Sequence, residues 1–159
     1  MLTCRKAEEA DVLLYYEWTN DAEVRKQSFQ SGEISLEDHK DWFYKKIHDD
    51  NCLMLLFENE NKEAIGQVRF QKEDNEGYVI GISVAAASRN KGFAAKLLLM
   101  ASDYFLQQFP AQIIYAYIKE TNMGSVRSFK NAGFIFSNDL IIAGNKSVLY
   151  TKTNNNENR

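Results

Sequence analysis

The sequence predicts an α/β fold in which helices cover both faces of one mixed β-sheet. Three observations favour this class. Apolar strand-like runs alternate with amphipathic helical segments along the chain. The 159 residues, 45% of them hydrophobic, are enough for one domain with a substantial core. The order of elements is β-α-α-β-β-β-α-β-α-β-β, which includes hairpins and so differs from a regular doubly wound sheet.

Hydrophobic periodicity and turn chemistry set the bounds of each predicted element. The elements are a strand at 2–5, helices at 10–21 and 36–48, strands at 52–57, 64–71 and 78–84, a helix at 94–109, a strand at 112–118, a helix ending at 132, and strands at 134–136 and 147–151. Ser35 and Asn122 stand in N-cap positions, and Gly133 follows the last helix as a left-handed stop. The final two strands are expected to form a hairpin across a loop at 138–146.

Composition excludes several classes of protein. The balance of 19 basic and 22 acidic side chains argues against a broad nucleic-acid surface. Cys4 and Cys52 form neither a disulfide framework nor a metal-ligand pattern, so we expect no metal. No apolar run resembles a signal peptide or reaches membrane-spanning length. We therefore expect one cytoplasmic domain at 1–152, without a membrane partner, followed by a disordered tail at 153–159.

The segment Arg89-Asn90-Lys91-Gly92-Phe93-Ala94 joins a predicted strand to a predicted helix. Glycine lets a backbone approach a ligand closely, and the N–H groups at a helix start point the same way. The helix dipole adds partial positive charge at that end. The segment predicts an anion site with a phosphate-bearing ligand, and an ordinary basic turn is the alternative.

A second pattern, N-x-x-S-x-x-x-Φ-x-x-x-G-F, follows the fifth predicted strand and consists of Asn122, Ser125, Phe129, Gly133 and Phe134. The segment 89–94 resembles the Q/R-x-x-G-x-G/A motif of the GCN5-related N-acetyltransferases (GNAT), and the second pattern resembles another signature of that superfamily. The similarity extends over essentially the whole chain. It implies a sheet of about seven strands that splays apart between the fourth and fifth.

The resemblance implies acetyl-CoA as the acetyl donor. Its pyrophosphate would lie on the backbone of 89–94, and its pantetheine arm would run along the fourth strand. A backbone N–H near Val84 would polarise the thioester carbonyl. The donor-binding residues implied in this way are Ile82, Ser83, Val84, Arg89, Asn90, Lys91, Gly92, Phe93, Ala94, Asn122, Ser125 and Phe129.

Proton transfer is the part of the chemistry on which the chain departs from the superfamily. Many members protonate the departing thiolate from a tyrosine, and the matching residue here is Phe129, which cannot donate. The alternatives are a water, the substrate ammonium, or a hydroxyl of Ser125, Tyr115 or Tyr117. For the general base, the resemblance directs attention to Tyr78. Glu76 would share that strand face, and either residue could act through water.

The first third of the chain carries the indications of the acceptor. Its segments W-x-N-D-x-x-V-R and I-S-x-x-x-H-x-x-W resemble acetyltransferases that act on nucleotide-linked amino sugars, in particular the branch of pseudaminic acid biosynthesis. Ribosomal-protein N-terminal acetyltransferases share a looser version. Side chains that suit a pyrophosphate, a uracil or sugar face and hydroxyls are Asn20, Arg25, Ser28, His39 and Trp42.

The sequence therefore predicts an enzyme that acetylates a small-molecule amine by direct attack in a ternary complex. The 4-amino group of a UDP-linked amino sugar is the first candidate acceptor. A protein N-terminus is an alternative acceptor, and a non-catalytic domain that binds acyl-CoA is an alternative function. Association into a homodimer stays open.

Overall fold

The computed structural model describes residues 1–30 and 32–154. Beyond residue 154, the tail predicted at 153–159 lies outside the described residues. None of the helices in the described ranges combines the length and apolar character that a membrane crossing requires.

Residues 1–30 and 32–154 form twelve elements of regular structure, apart from short 3-10 turns at Glu9–Asp11 and Ala86–Ser88. The helices of the described chain are α1 (Val12–Thr19), α2 (Ala22–Gln27), α3 (Leu36–Ile47), α4 (Phe93–Gln108) and α5 (Met123–Asn131). The strands are β1 (Thr3–Lys6), β2 (Cys52–Glu58), β3 (Ala64–Lys72), β4 (Gly77–Val84), β5 (Ile113–Lys119), β6 (Ile135–Ile142) and β7 (Asn145–Lys152).

The seven strands form one mixed sheet in the order β1-β2-β3-β4-β5-β7-β6. Only the β4–β5 pair is parallel in the described sheet, and the other neighbours are antiparallel. The predicted fold class, a mixed sheet covered by helices, is confirmed.

Two hydrophobic cores lie on opposite faces of the sheet, because successive side chains along a strand point to opposite sides. The larger core packs α4 and α5 against the sheet, and its central residue Phe105 stacks on Phe70 with ring centroids 4.5 Å apart. The smaller core packs α1 and α3 against Met54 and Leu56 of β2. Burial of each large aromatic side chain contributes roughly 1.5–3 kcal/mol to stability.

The sheet opens between β4 and β5. These strands pair only at Gly77–Ile113, Tyr78–Ile114 and Val79–Tyr115. Beyond Val79 they diverge, which gives the splay implied by the resemblance to the GNAT superfamily. The divergence leaves room between the second half of β4 and the second half of β5.

Lys152 is a charged side chain inside the larger core, and its exposed fraction is 2%. Its ammonium donates to Ser102 Oγ at 2.8 Å, to the Ala132 carbonyl at 2.8 Å and to Asp103 Oδ1 at 3.1 Å. An ammonium has three protons to donate, so these acceptors satisfy it completely. The contact ties β7 to α4 and to the end of α5.

The short helix α2 was not predicted. The helix expected at 10–21 corresponds to α1, which ends at Thr19, and α2 begins at Ala22 as a separate helix. The reason is local hydrogen bonding: the Asp21 carboxylate accepts the backbone N–H groups of Glu23 and Val24. Aspartate in that position caps a new helix instead of continuing the old one.

The terminal hairpin is longer than predicted. The expected loop at 138–146 is wrong, because β6 continues to Ile142 and a two-residue turn, Ala143–Gly144, leads into β7. Both turn residues have positive φ, 49° and 78°. A turn of that kind matches the twist of paired strands, and the ladder runs from Ile142–Asn145 at the turn to a bulge between Phe136 and Asn138.

Candidate active site

A cleft of about 1420 Å³ occupies the gap between β4 and β5. One side, here called the α4–α5 wall, consists of lining residues from 88–95 and from 122–131. The other side, the α1–α3 wall, consists of lining residues from α1, α2, α3 and β3, among them Tyr15, Trp18, Arg25, His39, Trp42, Gln67 and Arg69. The second half of β4, Ile80–Val84, forms the floor between the walls.

The predicted anion segment forms a tight turn at the start of α4. Asn90 and Gly92 both have positive φ, 60° and 79°, which glycine and asparagine adopt more readily than other residues. No described side chain caps α4, so its first N–H groups are free of a side-chain acceptor. A Cβ added at Gly92 would meet nothing within 4 Å. This open, uncapped helix start fits a pyrophosphate group.

Arg89 lines the cleft, but its guanidinium already has a partner. Nη2 donates to Asp21 Oδ1 at 2.8 Å, and this contact holds the pKa of Asp21 below its usual value. Arg89 thus connects the turn before α4 to the N-terminus of α2. Of the segment 89–94, Lys91 alone does not line the cleft.

The other predicted donor-binding residues converge on the cleft. Ile82, Ser83 and Val84 line it from β4, and Asn122, Ser125 and Phe129 line it from α5 and its cap. The Asn122 carboxamide accepts the Ser125 N–H at 3.2 Å and so caps α5. The buried Phe129 ring packs edge-on against Phe134 at 5.0 Å.

The predicted acceptor-binding residues differ in whether they line the cleft. Arg25, Ser28, His39 and Trp42 line the cleft, whereas Asn20 does not. The Asn20 side chain instead exchanges two hydrogen bonds with the Ile34 backbone, at 2.7 and 2.9 Å.

Arg25 is occupied mostly by its own loop. It donates to the carbonyls of Gln30 and Gly32 and to Ser28 Oγ. Its Nε is buried and has no partner in the described chain. Three of its five N–H donors are therefore engaged within the loop, whereas the prediction assumed a full guanidinium for the ligand.

His39 lies buried between aromatic rings, and its Nε2 is 3.0 Å from the Val12 carbonyl. Because a carbonyl can only accept, Nε2 carries a proton and donates. Burial lowers the pKa of His39 despite that hydrogen bond. The ring is therefore neutral at physiological pH and positions α3 against α1.

Comparison with known proteins identifies the family. A family model described as an acetyltransferase (GNAT) domain matches residues 1–135. The chain belongs to the GNAT acetyltransferase family. It is an acetyl-CoA-dependent N-acetyltransferase, as the sequence predicted.

Relatives of this acetyltransferase are distant in sequence but close in fold. Spermidine N(1)-acetyltransferase of Vibrio cholerae serotype O1 is 24% identical over 142 residues, which are 88% of this chain and 82% of the relative. The crystal structure of the V. cholerae spermidine N-acetyltransferase with CoA and spermine has a TM-score of 0.89 at 22% identity, covering 99% of this chain and 98% of that chain. Aminoglycoside acetyltransferase AAC(6')-Ib with coenzyme A and kanamycin has a TM-score of 0.84 at 17% identity, covering 100% and 98%.

The structure does not bring the two predicted bases to the cleft of the acetyltransferase. Tyr78 points to the α4 face, where its ring contacts Phe105 at 4.9 Å and Phe109 at 5.8 Å. Glu76 is exposed in the turn before β4. Strand alternation explains the outcome, because Tyr78 shares its face with Ile80 in the larger core.

Two hydroxyls from the predicted set of proton donors do line the cleft, Ser125 and Tyr117, whereas Tyr115 does not. Burial, together with the nearby carboxylates of Glu73 and Asp74, raises the pKa of Tyr117. Tyr117 therefore stays protonated at neutral pH and is able to donate.

Several residues of the α1–α3 wall were not predicted from the sequence, among them Tyr15, Gln67 and Arg69. The last two stand two residues apart on β3, so their side chains share a face of the sheet. The alternation Gln67-Val68-Arg69 inside an otherwise apolar strand was a detectable sign, because polar residues at every second position mark a face that meets a cavity or solvent. Tyr15 gave no such sign, since its position on α1 is also a core position.

Proposed function

We propose that the protein acetylates the primary amine of a small molecule by direct attack within a ternary complex. The observation that carries the proposal is the continuity of the cleft from the start of α4 to the α1–α3 wall. Bound acetyl-CoA supplies the activated acetyl group as a thioester. With the pyrophosphate at Gly92 and the arm along Ile82–Val84, the amine would approach from the α1–α3 wall.

The transfer needs two proton movements. A proton must leave the acceptor amine, and one must reach the departing sulfur. We assign the second role to Tyr117, which lines the cleft and carries a phenol proton at neutral pH, with Ser125 as the alternative donor in the cleft. The predicted water relay from Glu76 or Tyr78 has no support from their positions, so the first proton would leave through cleft water.

For the acceptor, we propose a nucleotide-linked amino sugar. Support comes from the charges of the α1–α3 wall: Arg25 and Arg69 are cations that suit a pyrophosphate, and Trp42 offers an aromatic face. A polyamine is the second candidate, favoured by the spermidine acetyltransferase relatives. Against it, Glu23 and Glu73 are the only carboxylates among the described lining residues.

The test is a thiol-release assay at saturating acetyl-CoA. The panel contains UDP-linked 4-amino sugars, spermidine and spermine, an aminoglycoside and N-terminal peptides. We expect the highest kcat/KM for a UDP-amino sugar. A higher kcat/KM for spermidine would identify a polyamine as the acceptor instead. A higher kcat/KM for the peptides would identify a protein N-terminus as the acceptor.

Calorimetric titration of CoA is the binding control for this assay. If CoA binds but no thiol is released with any amine of the panel, the acceptor belongs to a class outside the panel. A Tyr117→Phe variant checks the proton donor. We expect its kcat to fall while KM for acetyl-CoA is unchanged, and an unchanged kcat would transfer the role to Ser125.

A further inference from the structure

Arg69 is a half-buried cation without an anionic partner. Its guanidinium carbon lies 5.0 Å from the centroid of the Trp42 ring. Among the described residues, no carboxylate forms an ion pair with it. Burial lowers the pKa of Arg69, because the charged form is poorly solvated at this place. The side chain therefore presents a weakly compensated positive charge to the cleft.

Two buried polar atoms of the same wall also lack partners. The Tyr15 hydroxyl and Gln67 Oε1 make no hydrogen bond in the described chain, although these residues are only 4% and 8% exposed. The other end of the Gln67 carboxamide is fixed, since Nε2 donates to Ser83 Oγ at 3.1 Å. Buried polar atoms are normally paired, so unpaired ones that line a cleft point to a ligand.

The neighbouring strand β4 leaves the Arg69 guanidinium uncovered. Gly81 of β4 is the residue opposite Arg69 in the sheet, and it has no side chain to cover the guanidinium. Even a Cβ at Gly81 would approach Arg69 Nη2 only to 3.7 Å, an ordinary contact. The space in front of Arg69 thus belongs to the cleft.

We infer that Arg69 and the Tyr15 hydroxyl bind an oxyanion of the acceptor, so that the acceptor is a small amine that also bears a phosphate ester or a carboxylate. Both groups donate to the anionic oxygens, and Gln67 Oε1 accepts from a hydroxyl or amine of the same molecule. The inference rests on the proposed function, because that function places the acceptor against the α1–α3 wall. A polycation would meet repulsion from Arg69.

The test measures anion binding without turnover. The protein is first saturated with CoA, so that the start of α4 is filled. It is then titrated by calorimetry at constant ionic strength, with UDP as the phosphate probe and succinate as the carboxylate probe. The probe that binds more tightly identifies the source of the oxyanion.

We expect Arg69→Met to weaken that binding by about tenfold or more, because it removes a charge-assisted hydrogen bond. Arg69→Lys, which keeps the charge but loses the planar fork, should weaken it less. Lys45→Gln is the matched control: it removes one exposed positive charge from α3 outside the cleft and should change the affinity less than twofold. Melting curves check that each variant is folded.

The two hypotheses fail in different ways. Absence of CoA binding in the first step would overturn the proposed function whatever the anions do. If CoA binds and neither probe does, or if Arg69→Met binds the probe as well as the unchanged protein, the inference about Arg69 is overturned while the acetyltransferase assignment stands.

Discussion

Gly92 is the residue on which the donor assignment depends most directly. It has a φ of 79° and open space around its α-carbon at the start of α4. We expect Gly92→Asp to lose CoA binding by at least a hundredfold, because a carboxylate would stand where the pyrophosphate must lie. A charge clash of about 3 kcal/mol corresponds to that factor. Calorimetric titration with CoA measures it.

Two control variants separate this charge effect from backbone strain. Gly92→Asn has nearly the same shape without the charge, and asparagine tolerates positive φ, so it should keep most of the affinity. Gly144→Asp places the same side chain at a φ of 78° in the β6–β7 turn, outside the cleft. Equal losses for Gly92→Asp and Gly92→Asn would mean that shape, and not charge, excludes the ligand.

Lys152 is the residue whose replacement tests the larger core. In Lys152→Met the buried Ala132 carbonyl and Ser102 hydroxyl each lose a donor. Leaving a buried acceptor unpaired costs about 1–3 kcal/mol, so the free energy of unfolding should fall by roughly that amount. Denaturant unfolding gives the value. Lys146→Met, at the exposed beginning of the same strand, should stay within about 0.5 kcal/mol.

For single residues, prediction from the sequence succeeded where the local backbone determines the conformation. Gly92 and Asn122 could be placed in a turn and at a helix cap because these are local features. The positions of Tyr78 and Arg25 could not be predicted, since they depend on which face of the sheet or which loop receives the side chain. Packing against α4 determines where Tyr78 lies. Hydrogen bonds to the carbonyls of Gln30 and Gly32 determine where Arg25 lies.

The short helix α2 depends on a single cap, Asp21. Asp21→Ala removes both the cap and the ion pair with Arg89, whereas Asp21→Asn keeps a capping side chain and loses only the charge. Loss of a cap costs about 0.5–2 kcal/mol, and a partly exposed ion pair about 0–1 kcal/mol. We therefore expect Asp21→Ala to be the less stable variant in denaturant unfolding. Equal losses would show that the charge outweighs the cap.

Asp21 also makes the free energy of unfolding depend on pH. Arg89 lowers the folded-state pKa of Asp21 below 3.8. Its contribution to stability is therefore complete above the ordinary pKa and is lost as the pH falls through the lower folded-state value. The difference in unfolding free energy between the unchanged protein and Asp21→Asn should shrink over that acidic interval. A difference that grows in acid would contradict the pairing.

The order of the elements was predictable except for α2, and the bounds of the last hairpin were not. The apolar stripes of α3 and α4 and the alternation in β2 to β5 are strong periodic patterns, so those elements appear close to their expected bounds. The six residues of α2 include only two apolar side chains, Ala22 and Val24, which is too short a pattern to predict a helix. The hairpin β6–β7 contains Asn138 and Asp139, which are poor strand formers, and the partner strand holds them in the ladder.

Considered as a whole, the enzyme has no cysteine at the place of reaction. Neither Cys4 nor Cys52 lines the cleft, and burial raises the pKa of both thiols. We expect direct transfer, so initial-velocity lines for the two substrates should intersect instead of running parallel. A Cys4→Ser, Cys52→Ser double variant should keep its kcat within about threefold, less than 1 kcal/mol in the barrier. Parallel lines, or a kcat lost with the thiols, would indicate an acetylated enzyme.

The whole site was only half predictable for a reason of chain geometry. The α4–α5 wall comes from two continuous segments, and a motif in each can be found by reading along the chain. The α1–α3 wall is assembled from α1, α2, α3 and β3, whose residues meet only after the sheet has formed. Arg69 faces Trp42 across 27 positions of sequence, a relation that no local pattern contains.

The gap between β4 and β5 also determines which backbone amides exchange their hydrogens with solvent. Strands that part after three paired positions leave peptide groups along their inner edges without a neighbouring strand. In the empty protein these amides are covered only by water, so their hydrogens should exchange with deuterium within the time of brief labelling. A pantetheine arm that lies in the gap would take the place of a neighbouring strand and slow the exchange of these hydrogens. Exchange at Ile82 and Val84, whose amides face away from β3, would then report occupancy of the donor site without any acceptor, even in a variant that has lost all activity.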